Sequence, residues 1–148
     1  ILEVGKHSLR DVVDGKPLGE TLLAPTKIYS RVIQQLLKQH DVHAFAHITG
    51  GGLVENLPRV IPDGLKASIN TQAWQWPSIF TWLQQQGNVD TREMYRTFNC
   101  GIGMVICVDA TQVDACEQLL AEQNETVYRL GQIKQQPAGD QQKIELIG

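Results

Sequence analysis

Hydrophobic positions along this chain fall into two rhythms. The clearest helical stripe is Ile28, Tyr29, Val32, Ile33, Leu36 and Leu37, which predicts a helix ending near Gln39 with Thr26 as its N-cap. Residues 42–48 then alternate. Val42, Ala44, Ala46 and Ile48 share one face, and His43, Phe45 and His47 the other, so this stretch reads as a strand. Gly50, Gly51 and Gly52 follow, and Leu53, Val54 and Leu57 resume helical spacing until Pro58 ends it. The predicted order here is strand, glycine turn, short helix.

The rest of the chain reads the same way. Residues 1–13 form an incomplete helix interrupted by Gly5, Asp14-Gly15-Lys16-Pro17 is a turn, and residues 18–26 are an extended connection. After a turn at Ile61-Pro62-Asp63-Gly64, residues 65–69 read as a strand and 70–76 as a loop. Pro77 fits the first position of a helix carrying Ile79, Phe80, Trp82 and Leu83 and stopping at Gly87. Residues 90–97 predict a short helix with Met94 and Tyr95 inward, and residues 98–103 a loop. The unbroken apolar run Met104-Val105-Ile106-Cys107-Val108 predicts a central strand buried on both faces. Thr111 and Asp114 form a capping box for a helix striped by Val113, Cys116, Leu119 and Leu120. Residues 127–133 read as a strand bent at Gly131, residues 135–142 as a polar turn, and residues 143–147 as a last edge strand closing a hairpin. The interleaving predicts an α+β fold, a mixed β-sheet covered by α-helices, in a single domain over 1–148.

Composition narrows the class. At 148 residues and 42% hydrophobic, the chain can bury a core without staples. A net charge of −3 with no basic block argues against nucleic acid as a partner. No apolar run has the length of a membrane span, and no leader is visible. The three cysteines show no C-x-x-C spacing, which argues against a zinc ribbon and for reduced thiols in the cytoplasm. Cys107 and Cys116 read as small core residues, while Cys100 stands between Asn99 and Gly101 in a loop. The chain opens on Ile1 inside an apolar pattern, so it is read as a piece of something longer.

Two loops could carry chemistry. A glycine turn entering a helix brings unpaired N–H groups and the positive end of a helix dipole to one point, which suits an anion. The same turn could equally be a tight connection that binds nothing. It lacks the Gly-Lys-Ser/Thr of a P-loop, and its glycines are contiguous rather than spaced as in a dinucleotide site. The second loop sets Arg96, Asn99, Gly101 and Gly103 just before a strand, either as a ligand site or as a helix terminator. His47, beside the glycine turn, could serve a phosphate, act as acid or base, or bond a neighbouring backbone group. Glu55 and Asn56 sit in the first turns of the helix, where a carboxylate complements the dipole, and Trp74 and Trp76 read as loop packing in preference to stacking on a base. No Ser-His-Asp pattern, no H-E-x-x-H and no acid cluster for two metals is present.

Taken together, the motifs resemble a known family. Ala24-Pro25-Thr26-Lys27-Ile28-Tyr29, His47-Ile48-Thr49-Gly50-Gly51-Gly52, Glu55-Asn56-Leu57-Pro58-Arg59-Val60, Trp74-Gln75-Trp76-Pro77 and the run from Met94-Tyr95-Arg96-Thr97-Phe98-Asn99-Cys100-Gly101 to Met104 occur in this order. They resemble the C-terminal domain of phosphoribosylformylglycinamidine cyclo-ligases, the aminoimidazole ribonucleotide synthetases. The resemblance implies ATP-dependent ring closure of formylglycinamidine ribonucleotide in purine biosynthesis, with Mg2+ accompanying ATP, in a cytoplasmic homodimer. It implies a cleft between an N-terminal ATP-binding domain, which is not in this sequence, and the present domain, so this piece alone is expected to be inactive. It assigns Thr49, Gly50, Gly51, Gly52 and Arg96 to binding substrate and phosphate, the substrate's own phosphate in preference to that of ATP. It assigns His47 and Asn99 to catalysis and Cys100 to the cleft wall. The alternative is a non-catalytic phosphate-binding or regulatory module of the same fold.

Overall fold

The computed structural model describes residues 1–148. Strand β3 (Val42–His47) lies antiparallel to β5 (Met104–Val108), with His47 opposite Met104 and Phe45 opposite Ile106. The register slips between Val42 and Ala44, a bulge that moves Val42 off the face of Ala46 and onto that of Phe45. The single stripe expected from Val42 to Ile48 is therefore divided. Ala46 and Ile48 enter the main core with Leu53, Leu57, Ala67, Ile69, Trp74, Met94 and Tyr95. Val42 and Phe45 enter a second core, formed by Val32 and Leu36 of α3 (Ser30–Gln39) and Cys116, Leu119 and Leu120 of α7 (Val113–Glu122).

Strand β5 corrects an expectation. It pairs with β3 alone, and all of its residues are half-buried. Its apolar run is explained by cover on both faces, Val105 against the main core and Ile106 and Val108 against the second, rather than by strands on both edges.

The central strand is instead β4 (Leu65–Asn70), flanked by β6 (Gly131–Gln135) antiparallel and β7 (Ile144–Ile147) parallel. This three-stranded sheet is mixed, as the fold class requires. The expected terminal hairpin does not form, because the chain crosses β4 between its last two strands. Side chains on the outer face fix that crossing. Lys66, buried on β4, pairs with Asp140 at 2.5 Å and with Glu145 at 3.4 Å, and Ser68 donates to Glu145 at 2.8 Å. Ala67 and Ile69 point the other way, into the core. Strand β6 also starts later than the expected Val127, at Gly131, whose missing Cβ would sit 1.8 Å from the Ser68 carbonyl oxygen.

The N-terminal third departs most from expectation. A single helical turn, α1 (Leu2–Gly5), is followed by a small hairpin of β1 (Val12–Val13) and β2 (Lys16–Pro17) around Asp14 and Gly15. Residues 18–22, expected to be extended, form helix α2 (Leu18–Leu22), because Leu18 is fully buried and Gly19 donates its N–H to the Leu9 carbonyl at 2.8 Å. Thr26 caps nothing. Helix α3 begins at Ser30 with Tyr29 at its N-cap, and Lys27 is drawn to Glu125 at 2.5 Å.

Three helices cover the remaining flank. Helix α4 (Gly52–Asn56) runs into a 3-10 turn at Leu57–Val60. Helix α5 (Ser78–Gly87) takes Pro77 as its N-cap, one position before the expected one. Helix α6 (Thr91–Thr97) is capped by the Asp90 side chain and buries Met94 and Tyr95 as expected. The capping box expected for α7 is replaced by Asp109, whose carboxylate accepts from the Thr111 N–H at 2.9 Å and from its hydroxyl at 2.6 Å. No helix is long and apolar enough to cross a membrane.

Candidate functional site

The glycine turn leaves the end of β3 at His47 and enters α4. Ile48 is buried and donates its N–H to the Gly103 carbonyl at 2.9 Å, so the turn begins from a fixed point. Beyond it, Thr49 and Gly50 are exposed. The Thr49 carbonyl accepts from the Gly52 N–H at 3.0 Å, and the Gly51 carbonyl from the Glu55 N–H at 3.0 Å. The N–H groups of Thr49, Gly50 and Gly51 donate to no backbone or side-chain acceptor in the chain. Gly51 has φ +95° and Gly52 φ +55°, both in the left-handed region, which is where consecutive N–H groups can converge.

Two contacts hold this shape. The Asn56 side chain, buried beneath the turn, donates through Nδ2 to the carbonyls of Gly50 at 3.1 Å and Gly52 at 2.8 Å. Gly52 presses on α6, where a Cβ at this position would lie 2.0 Å from the Tyr95 carbonyl oxygen and 2.5 Å from that of Phe98. The start of the second loop is thus the backing of the first.

The second loop is pinned from behind. Cys100 and Gly101 take φ +48° and +98°, and the Asn99 carboxamide oxygen accepts from the Gly101 N–H at 3.0 Å. Trp74 donates its indole N–H to the Cys100 carbonyl at 3.0 Å, and Trp76 donates to the Tyr95 hydroxyl at 3.1 Å. Both tryptophans are packing residues, as read from sequence. Cys100 is fully buried, its thiol 3.5 Å from the Met94 carbonyl, and burial pushes its pKa up to about 12. It belongs to the core, not to a cleft wall, which corrects the expectation. Burial also raises the Tyr95 phenol above its ordinary value.

The expected site residues are only partly brought together. His47 is exposed and stands edge-on to Tyr29, ring centres 5.8 Å apart, directly before the glycine turn. Thr49, Gly50, Gly51 and Gly52 form the turn itself. Arg96 is exposed but engaged along its own helix, forked onto Glu93 at 2.6 and 3.0 Å. Asn99 braces its own loop, and no hydrogen bond joins Arg96 or Asn99 to the glycine turn. Tyr29 and Asn56 escaped the reading by pattern. By pattern Tyr29 is part of a helical stripe and Asn56 a polar residue in the first turns of a short helix. A polar residue on the inward side of an apolar helix, between Leu53 and Leu57, was the available signal for Asn56.

Two surface hollows lie away from the turn. One of about 330 Å³ is lined by Ile28, Arg31, Val32 and Glu122 among others, and one of about 390 Å³ by Ile1, Leu2, Val4 and Trp82 among others. Neither includes the glycine turn. No group of three or more His, Cys, Asp or Glu side chains is placed to hold a metal ion.

The family model described as AIR synthase related protein, C-terminal domain, matches residues 1–142. The chain belongs to this family. The match spans both loops and every element from α1 to β6. Strand β7 lies past the matched residues and completes the mixed sheet.

Proposed function

We propose that this chain supplies one wall of the catalytic cleft of an ATP-dependent cyclo-ligase that closes the imidazole ring of aminoimidazole ribonucleotide. In that reaction the formyl oxygen of formylglycinamidine ribonucleotide takes a phosphoryl group from ATP, an amidine nitrogen closes the ring, and phosphate leaves. The observation that carries the reading is the set of unpaired N–H groups at Thr49, Gly50 and Gly51, exposed beside His47 and braced from below. Donors fixed before the ligand arrives need no reorganisation, so they favour a dianion more than mobile ones would.

The roles are assigned as the resemblance implies. Thr49, Gly50 and Gly51 hold the ribose phosphate of the substrate through backbone N–H groups and the Thr49 hydroxyl, and Gly52, whose N–H is turned to the Thr49 carbonyl, shapes the turn instead of donating to the ligand. His47 orients or polarises a group next to that phosphate. Arg96 and Asn99 line the neighbouring edge, and Arg96 must leave Glu93 to reach a ligand. The residues present do not form a magnesium site, so the ion that accompanies ATP is assigned to another part of the enzyme, and no step here is routed through it. The same reading makes the chain a single domain that works beside an ATP-binding domain, in a cytoplasmic homodimer.

An amide NMR titration of the chain tests this. Ribose 5-phosphate is expected to shift the amides of residues 49–53. Shifts with ATP alone would move the nucleotide to this turn and reverse the assignment. No shift with either would overturn phosphate binding here.

A further inference from the structure

Three polar residues are buried in this chain, Asn56, Lys66 and Ser68. Lys66 and Ser68 are accounted for by the ion pairs and hydrogen bond that tie β4 to Asp140 and Glu145. Asn56 serves no such bridge between elements. It is 6% exposed, and its Nδ2 donates to two carbonyls of the glycine turn immediately before it.

The consequence comes from peptide geometry. In a trans peptide the C=O and the following N–H point in opposite directions. No peptide bond in the chain is cis. With the Gly50 carbonyl held inward by Asn56, the Gly51 N–H must point outward. The Gly52 carbonyl is held by the same nitrogen, which fixes the other end of the turn. One side chain therefore sets the Gly50–Gly51 peptide against the first turn of α4, while the Gly51–Gly52 peptide is held by the Glu55 N–H and the Thr49 carbonyl. An apolar residue of the same size would leave the Gly50 carbonyl free to rotate toward water and carry the Gly51 N–H away, while the Gly52 carbonyl stays in the α4 ladder.

We infer that Asn56 is a positioning residue for a phosphate monoester at the glycine turn, acting by holding the Gly50 carbonyl inward so that the Gly51 N–H faces the ligand beside those of Thr49 and Gly50. The inference rests on the reading of the turn as a phosphate site. It adds that the Gly51 donor is there because Asn56 turns it. The side chain touches the turn, not the ligand, so its effect is on binding through the backbone.

The test uses Asn56→Asp and Asn56→Ala with ribose 5-phosphate as the probe. Asn56→Asp keeps the volume but puts acceptor oxygens against two carbonyls. Affinity is read from the amide shifts of residues 49–51 at a temperature where the β3 and β5 amides report a native pair. Each variant is expected to lose about tenfold or more in affinity, the equivalent of one hydrogen-bonded orientation. Variants that fold, melt earlier and bind as tightly as the native chain would overturn the positioning role while leaving the phosphate reading intact. A native chain that binds no ribose 5-phosphate would defeat the phosphate reading, and this inference with it. Should neither variant fold, the native chain still decides. The Asn56 side-chain amide protons are expected to exchange slowly and to shift with the same midpoint as the Gly51 amide, and an Nδ2 group that exchanges freely and stays unshifted would overturn the role.

Discussion

The hydroxyl of Tyr29 occupies the place where a side chain at position 103 would begin. A Cβ built on Gly103 would lie 1.9 Å from Tyr29 Oη and 3.0 Å from Cζ. The ring of Tyr29 also stands edge-on to His47, which is paired with Met104 across the β3–β5 ladder. Gly103→Ala is therefore expected to expel the tyrosine and cost about 1–3 kcal/mol, as overpacking does. Tyr29→Phe removes the atom in closest conflict, so Tyr29→Phe with Gly103→Ala should cost less than the sum of the two. Thermal or urea unfolding of the four proteins closes the cycle. Strict additivity would mean that the two positions do not meet.

The glycines of the turn are not equivalent. Gly52→Ala places a methyl 2.0 Å from the Tyr95 carbonyl oxygen at φ +55°. It is expected to destabilise the chain by more than about 3 kcal/mol, since both the clash and the left-handed backbone oppose it. Gly50 has open space where its Cβ would go and no positive φ. Gly50→Ala should fold with stability within about 0.5 kcal/mol of the native chain. Chemical denaturation of the pair is the measurement, and equal effects would contradict the described turn.

Cys100 should behave as core. Its thiol is held near 12 by burial, and Cys107 and Cys116 are also raised by burial. Thiolate is the reactive form, so at about pH 8 iodoacetamide should leave Cys100 untouched in the folded chain. Labelling should appear only with denaturant, in step with loss of structure. Peptide mapping by mass spectrometry reads the result, and fast native labelling of Cys100 would place it at an accessible surface.

The outer face of the mixed sheet should respond to acid. Glu145 is held at about 2 by hydrogen bonds from Lys134 first and then Ser68, and Asp140 is lowered by its hydrogen bond from Lys66. Both carboxyls bind protons more weakly folded than unfolded. Their stabilisation is thus complete above the ordinary carboxylate range and is lost as pH falls from about 4 toward 2. Lys66 is raised by Asp140 first, so its own contribution holds below the ordinary lysine range and fades only above it. Amide exchange of residues 144–147 is expected to accelerate through that acid window. Glu145→Gln should remove much of the acid sensitivity, and an unchanged profile would show that these carboxyls do not hold β7.

The elements near the site were legible because local rules dominate there. The alternation of residues 42–48, the glycine run and the stripe carrying Met94 and Tyr95 each indicate one element without help from elsewhere. What escaped depended on partners far along the chain. Nothing in residues 18–22 shows that Leu18 will be buried, and nothing near Thr26 shows that Lys27 is drawn to Glu125. The apolar run at Met104 was read correctly as a strand covered on both faces, but face cover and edge pairing are different things, and only the second core separates them. Arg96 and Asn99 sat in the right loop, yet short-range partners, Glu93 and the Gly101 N–H, hold their side chains locally.

The crossing of β4 also orders events in time. Ser68 and Glu145, bonded across the parallel pair, are 77 positions apart. A ribosome delivers the N-terminal member of that pair long before the other, and β6 also comes late, so β4 must wait with both edges bare while about half of the chain is still being made. Its outer face meanwhile carries Lys66, whose charge keeps a lone strand hydrated and discourages pairing with a neighbour's edge. The same lysine that locks the finished sheet can thus guard the unfinished one during synthesis.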